Sequence, residues 1–360
     1  MAQRIIPDDK SHQTDVKLRL KKAPITIPVL LVRGMLAGVD ARAESSHGYL
    51  RDAAIPADLL SHAGARVTAE QYIALCRTLI EQRADESLGY LARPLKPGSF
   101  ALLARSALGA RDLRQAIKRI AHTFSLLRDD EALELRVKDG LAGLVLHFND
   151  TSAAQPLLLQ TFRHTYFLRW FWRLMAWMAG GRLPAKRFDF AFGRPPDVGT
   201  YKQAFPATMQ FDQARTAVWF DEARLQTPVR RDEVAWRALL AGMPGNIIIP
   251  PRNEDVVSKK VCNHLLRTRW QAGWASLAET AKALHMSTAT LQRRLAQERT
   301  SFQALKDELR RDIAIERLNT SAVPLADLAR ELGFSESAAF QRAFKGWTGR
   351  SPGASRQAKA

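Results

Sequence analysis

The last hundred residues contain one pattern twice. The first copy runs Ser276-Leu277-Ala278-Glu279-Thr280-Ala281, then Leu284-His285-Met286-Ser287, then Leu291-Gln292-Arg293-Arg294-Leu295. The second runs Val323-Pro324-Leu325-Ala326-Asp327-Leu328-Ala329, then Leu332-Gly333-Phe334-Ser335, then Phe340-Gln341-Arg342-Ala343-Phe344. Each predicts a short amphipathic helix, a tight turn, and a second helix that opens at a serine and carries arginine. Ala281 and Ala329 are small, so the second helix can cross the first closely. Gly333 supplies the positive φ of a helix–helix turn. Ser287 and Ser335 are placed to cap the helix that follows, at about 1 kcal/mol each. Leu291, Leu295, Phe340 and Phe344 fall on the inner face. Thr288, Thr290, Gln292, Arg293, Ser337, Gln341 and Arg342 fall on the outer one. Arg suits guanine edges and Gln adenine edges, with about 1–3 kcal/mol of discrimination per bidentate pair. One copy alone would be satisfied by a plain helical hairpin. Two copies with matching cap, turn and Gln-Arg pair predict two helix-turn-helix motifs, each with its second helix bound for a major groove.

The interval between the copies fits the same reading. Ser287 and Ser335 stand 48 positions apart, and Phe302, Leu305, Leu309, Ile313 and Leu318 mark a helix between the motifs. Its 18 or so residues span roughly 27 Å, close to one duplex turn of ~34 Å. Two reading heads on such a spacer can enter successive major grooves on one face of DNA. At least two of the spacer arginines, Arg310, Arg311 and Arg317, are expected to face solvent. Charge agrees with a polyanionic partner. The 360 residues carry 54 Lys and Arg against 36 Asp and Glu, a net +18, and residues 251–360 alone hold 19 against 11.

Other classes receive little support. The two cysteines, Cys76 and Cys262, exclude a disulfide scaffold and a Cys-rich zinc module. No run of 18 uncharged apolar residues predicts a membrane span, since 156–180 is broken by Arg163, His164, Arg169 and Arg173. The first 22 residues lack the apolar core of a signal peptide, so a cytoplasmic protein is expected. The eight histidines are dispersed, and none forms a metal pair. No catalytic residue, cofactor or metal is expected.

Upstream of the repeat the periods are mixed. Residues 1–24 form a basic arm. Val29 to Ala41, Ala69 to Arg83, Phe100 to Gly109 and Leu113 to Leu127 carry helical spacing. Glu131 to Asn149 alternates on both sides of Asp139-Gly140, which predicts a β-hairpin. An aromatic helix over about 154–179 follows, then strands at Phe188 to Phe192, Met209 to Phe211 and Ala217 to Phe220. The expected class is an α+β domain of helices and a small antiparallel sheet, followed by an all-α domain. The expected boundaries are 25–240 for the first domain, 241–254 for a Pro- and Gly-rich linker, 255–356 for the second domain and 357–360 for a tail.

Residues 256–356 resemble the DNA-binding domain of the AraC family of transcriptional regulators. Beyond the two repeats, Lys345, Trp347-Thr348-Gly349, Ser351-Pro352 and Arg356 carry the match. Arg299 stands where the family usually has Gly, Gly346 where a basic residue is common, and Gly353-Ala354-Ser355 replaces a bulkier tail. The resemblance implies that Ala289, Gln292 and Arg293 read bases from the first motif, and Ser337, Ala338, Gln341 and Arg342 from the second. Thr288, Thr290 and Lys345 complete the DNA-facing set.

Pro28-Val29-Leu30-Leu31, Val67-Thr68-Ala69-Glu70-Gln71, Arg93 to Phe100 and Phe188 to Leu225 resemble the arabinose-binding-type regulatory domain of an AraC subgroup. That resemblance implies an effector-sensing module and a homodimer. The partners expected are promoter double-stranded DNA, a small-molecule effector of unspecified identity and RNA polymerase, and no membrane. The aromatic helix is the candidate effector site, through Phe162, His164, Tyr166, Arg169 and Trp170; a core helix is the simpler reading of the same residues. A DNA-modifying or repair enzyme fused to the same DNA-binding domain is the alternative. It would have to use Cys76, which has no neighbouring ligands in the sequence and falls on an apolar helix face.

Overall fold

The computed structural model describes residues 24–40, 45–148, 156–202, 204–249, 257–269, 273–298 and 300–357. The expected basic arm, up to residue 23, and Arg299 lie outside the described residues. The strands are β1 (Thr26–Pro28), β2 (Arg66–Thr68), β3 (Glu131–Lys138), β4 (Leu141–Phe148), β5 (Ala185–Asp189), β6 (Thr208–Gln210) and β7 (Thr216–Asp221). The helices are α1 (Val29–Asp40), α2 (His47–Asp52), α3 (Ala69–Arg83), α4 (Ser99–Ser106), α5 (Leu113–Leu127), α6 (Leu157–Met178), α7 (Glu233–Ala241) and α8 (Gly245–Ile248). There follow α9 (Val257–Thr268), α10 (Leu277–Ala283), α11 (Thr288–Gln297), α12 (Phe302–Thr320), α13 (Leu325–Glu331), α14 (Ser337–Thr348) and α15 (Pro352–Gln357).

Two compact units result, and they do not follow chain order. One holds Leu30–Ala57 and Glu70–Pro251. The other holds Asp58–Ala69, Arg252–Ala360 and the chain up to Val29. The first is α+β. In α3 the expected Tyr72, Leu75, Cys76 and Leu79 are buried. The hairpin pairs Glu131 with Phe148 through to Lys138 with Leu141. Asp139 and Gly140 at its tip have φ of 52° and 73°, as a primed two-residue turn requires. The five-stranded sheet runs β3-β4-β7-β5-β6. It is not wholly antiparallel, because β6 joins β5 in parallel. The chain between Asp189 and Thr208 is long enough for the crossover that parallel pairing demands.

The centre of this unit is α6. Sixteen of its 22 residues are buried, which suits a helix that is apolar on nearly every side. Phe171 meets Phe124 of α5 edge-on at 5.0 Å, and Trp172 meets Phe188 of β5 at 5.0 Å. Each aromatic ring so buried contributes about 1.5–3 kcal/mol. Helix α1 also packs tightly on α6, because a Cβ on Gly34 would come within 2.0 Å of the Phe162 ring. The linker expected over 241–254 is partly core. Its segment α8 buries Ile247 and Ile248 and packs on α6.

The second unit is mostly helical. Leu265, Leu291, Leu295, Ile313, Leu328, Leu332 and Phe340 are fully buried in one core. Sequence reading missed that β1 and β2, an antiparallel ribbon, belong here. Each strand is three residues, too short to show an alternation. Polar bonds fix the ribbon to α12. Thr26 Oγ1 donates to Asp312 Oδ1 at 2.6 Å, and Arg66 Nε donates to Thr26 Oγ1 at 2.7 Å. Arg311 pairs with the same carboxylate at 3.0 Å. Arg350 of the C-terminal region pairs with Asp58 at 2.6 Å. Burial pulls the Arg66 guanidinium down to about 10, with Arg311 adding to the effect and Asp312 opposing it. Asp312→Ala should therefore leave two crowded cations without their counter-charge. Urea unfolding should show a loss of about 1–3 kcal/mol; an unchanged midpoint would mean that the carboxylate does not hold the ribbon.

Candidate nucleic-acid interface and effector cavity

Each reading helix is set by its neighbours. In the first motif Ser276 accepts from the Glu279 amide at 3.2 Å while Glu279 accepts from the Ser276 amide at 2.7 Å, a reciprocal cap on α10. Ser287 caps α11 by accepting from the Thr290 amide at 3.1 Å. At the far end of α11, the Glu298 carboxylate accepts from the Val257 and Ser258 amides at 2.8 and 3.0 Å. An anion at a helix N-terminus is favourable, so Glu298 locks α11 to α9. Leu291 and Leu295 are buried. Thr288, Ala289, Gln292 and Arg293 are exposed, and Thr290 is half-buried.

The second motif repeats the arrangement with two differences. Ser335 does not cap. Helix α14 starts at Ser337 with Glu336 at the N-cap position, and no side chain there bonds to the free amides. The turn residue also differs. Gly333 has φ of 75°, and its counterpart in the first motif, His285, has φ of 55°. Phe340 and Phe344 are buried. Ala338, Gln341, Arg342 and Lys345 are exposed, and Ser337 is half-buried. Both motifs thus turn their polar residues outward from helices anchored on the inner side.

The spacer arginines correct the sequence reading. Arg310, Arg311 and Arg317 retain only 13%, 17% and 14% side-chain exposure. Arg310 lies over the Trp274 and Phe334 rings at 5.1 and 4.9 Å. Arg317 Nε donates to Glu331 at 3.1 Å, and Trp274 Nε1 donates to the Glu331 carbonyl at 3.2 Å. A guanidinium with an aromatic face or a carboxylate beside it gains more from packing than from water. These contacts tie the entry to the first motif, the spacer and the turn of the second. Trp274 and Glu331 are 57 positions apart, so periodicity could not link them. Glu298 was equally silent, because capping from a distant helix leaves no local pattern.

In the α+β unit, Phe162, Tyr166 and Arg169 line one narrow cleft that encloses only about 20 Å³, together with Tyr72, Tyr90 and Tyr201. Spacings of four and three put them on one face of α6. His164 and Trp170 lie outside that lining. His164 Nδ1 is 2.7 Å from Thr216 Oγ1, with its ring against Phe148. Trp170 packs against Phe100 at 5.0 Å. Two of the five expected effector residues are thus core. A second, wider cavity of about 400 Å³ includes Arg173, Trp177, Arg231 and Asn246. Its arginines are engaged, Arg231 with the Trp177 carbonyl at 2.7 Å and Arg173 with the Asn246 carbonyl at 2.9 Å.

The family model described as "Arabinose-binding domain of AraC transcription regulator, N-term" matches residues 45–229, just over half of the chain. The chain belongs to the AraC family of transcriptional regulators. The model described as "Helix-turn-helix domain" matches residues 280–358, across both reading helices. Among relatives, the Ornithine utilization regulator of Pseudomonas aeruginosa is 24% identical over 342 residues, 92% of this chain and 96% of that protein. The HTH-type transcriptional regulator VqsM of the same organism is 41% identical over 78 residues, 22% of this chain and 24% of its own. The crystal structure of transcriptional regulator CdpR from Pseudomonas aeruginosa aligns with 91% of this chain and 98% of that one, at 19% identity and a TM-score of 0.33.

This AraC-family chain is a DNA-binding regulator of transcription controlled by a small-molecule effector through its N-terminal domain. Both of these relatives are named as regulators. Among the described residues, no helix is long and apolar enough to cross a membrane.

Proposed function

We propose that this AraC-family regulator reads promoter DNA in the cytoplasm with α11 and α14. Gln292 and Arg293 of the first motif and Gln341 and Arg342 of the second supply the base contacts. Ala289 and Ala338 offer apolar contact to thymine methyls, and Thr288, Thr290, Ser337 and Lys345 hold phosphate. The observation that carries this reading is the outward Gln-Arg pair at the same position of both motifs. It functions as a homodimer that engages RNA polymerase. Its effector binds by widening the tyrosine-lined cleft beside α6. Chain continuity supports a route from there to DNA: β1 runs directly into α1, which brings Leu31 and Met35 to the cavity wall, and β2 runs directly into α3, which brings Tyr72. Effector binding then shifts the population of ribbon arrangements on α12.

Titrating the purified chain onto its own upstream DNA tests the reading. Binding should outlast a shuffled duplex by about 10³-fold or more and weaken linearly in log salt. Equal affinity for both duplexes would contradict it. Sedimentation of the same sample reads the dimer.

The enzyme alternative turns on Cys76. Burial pushes its thiol up to about 12, opposed by Arg169 and Arg77. It carries almost no thiolate at neutral pH, and the thiolate is the reactive form. Iodoacetamide should leave Cys76 unmodified in the folded chain and alkylate it on unfolding. Rapid labelling of native protein would favour the enzyme.

A further inference from the structure

We infer that the wider cavity against the C-terminal end of α6 binds an organic anion, its oxyanion head held by Arg173 and Arg231 and its apolar body laid on the facing helices. The inference goes beyond the reading above, because this cavity shares no lining residue with the cleft proposed for the effector. It encloses about 400 Å³ as it stands, within the roughly 300–1,000 Å³ of small-molecule sites. Small residues make the room. Ala176 of α6, Gly181 just after it, and Ala235 and Ala238 of α7 leave space that larger side chains would fill, and Leu239 and Ile247 complete the apolar wall.

The charge in this cavity is all of one sign, since no Asp or Glu lines it. Arg173 and Arg231 are half-buried, and each is held on one edge only. Arg173 donates through Nε and Nη2 to the Asn246 carbonyl at 3.3 and 2.9 Å, which leaves Nη1. Arg231 donates through Nε to the Trp177 carbonyl at 2.7 Å and lies over the Trp177 ring at 5.1 Å, which leaves both terminal nitrogens. Capping the last turn of α6 accounts for the Nε of Arg231 and not for the rest of its fork. These bonds fix both guanidiniums before a ligand arrives, and the remaining N–H groups suit a carboxylate or a phosphate. The acids beside Arg231 in sequence are committed elsewhere. Asp232 caps α7 by accepting from the Ala235 amide at 2.8 Å, and Glu233 pairs with Arg105 at 2.8 Å. Arg173 also stands four residues from Arg169 on α6, a spacing at which like charges repel. Burial, with Arg169 adding to it, pulls the Arg173 guanidinium below its ordinary value. A bound anion supplies the counter-charge that the lining lacks, and an ammonium group finds none.

Isothermal titration of the full chain tests this with naphthoate and naphthyl phosphate, the neutral naphthamide, the cationic naphthylmethylamine and inorganic phosphate. Both naphthyl anions should bind, and their relative affinity separates a carboxylate head from a phosphate head. The amide should bind about tenfold or more weakly, since it loses the charge-assisted pair. The amine lacks the head and inorganic phosphate lacks the body, so neither should give a binding signal. Arg231→Gln should weaken the anions about tenfold or more. Ala238→Leu, at an exposed position of α7, should fill the cavity and do the same without touching either arginine. Tyr201→Phe, in the other cleft, should leave binding unchanged. Equal affinity for naphthoate and its amide overturns the inference. So does binding that survives both Arg231→Gln and Ala238→Leu, binding lost in Tyr201→Phe, or no binding of either anion. If Arg231→Gln does not fold, the naphthoate–amide contrast and Ala238→Leu still decide.

Discussion

Replacing Arg293 and Arg342 together by Ala is expected to weaken sequence-specific DNA binding by roughly 30-fold or more and leave the fold intact. Both side chains are exposed on helices whose inner faces are fully buried, so truncation opens no cavity. Each bidentate contact to guanine is worth about 1–3 kcal/mol. The two lie in different motifs and share no partner, so the losses should add, to about 2–6 kcal/mol, or roughly 30-fold to 10⁴-fold. Either single variant should relax preference at one half of the site only. Arg310→Ala is the instructive control. It removes the same charge, but from between Trp274 and Phe334. It should cost stability before it costs specificity. Gel-shift titrations and urea unfolding of the same samples separate the two effects. If the double variant binds as tightly as the parent, the assigned base-reading residues are wrong.

The second large effect concerns one turn position and has opposite signs in the two motifs. Gly333→Ala must hold a side chain at φ of 75°, which costs about 1–2 kcal/mol. Its Cβ would also come within 2.6 Å of Trp274 Cδ1, with Arg310 Nη2 at 3.2 Å. The Trp274 ring is held by its bond to Glu331, so it cannot yield freely. A total loss of about 2–4 kcal/mol is expected. His285 occupies the same left-handed conformation with a side chain. His285→Gly removes that strain at the expense of a more flexible unfolded chain, and should stabilise by about 0.5 kcal/mol. Denaturant midpoints of the two variants check both signs. Destabilisation by both would mean that backbone strain is not the controlling term.

Much of this architecture was readable because its causes are local. The hairpin at Asp139-Gly140, the face of α3 and the inner residues of α11 and α14 each follow from spacing within a few residues. The Ser276–Glu279 reciprocal cap leaves a local signature too, Ser and Glu three apart, which the sequence reading passed over. Reading failed where the cause is a distant partner. Ser335 matches Ser287 by position, yet α14 starts two residues later. Arg310, Arg311 and Arg317 look like solvated cations until Trp274, Asp312 and Glu331 arrive from elsewhere in the chain. The β1–β2 ribbon joins segments 40 positions apart through Thr26 and Arg66. At the candidate effector site, helical spacing brings Phe162, Tyr166 and Arg169 together. It could not show that His164 and Trp170 turn into the core, because α6 is buried nearly all round.

Hydroxyl-radical footprinting of the full chain on its own promoter tests the central claim most directly. Two motifs joined by α12, tied together through Trp274, Arg310 and Glu331, should protect two segments about one helical turn apart on the same face of the duplex. Arg293→Ala should erase one segment and Arg342→Ala the other. A single protected segment, or two that stay unchanged in both variants, would contradict the account.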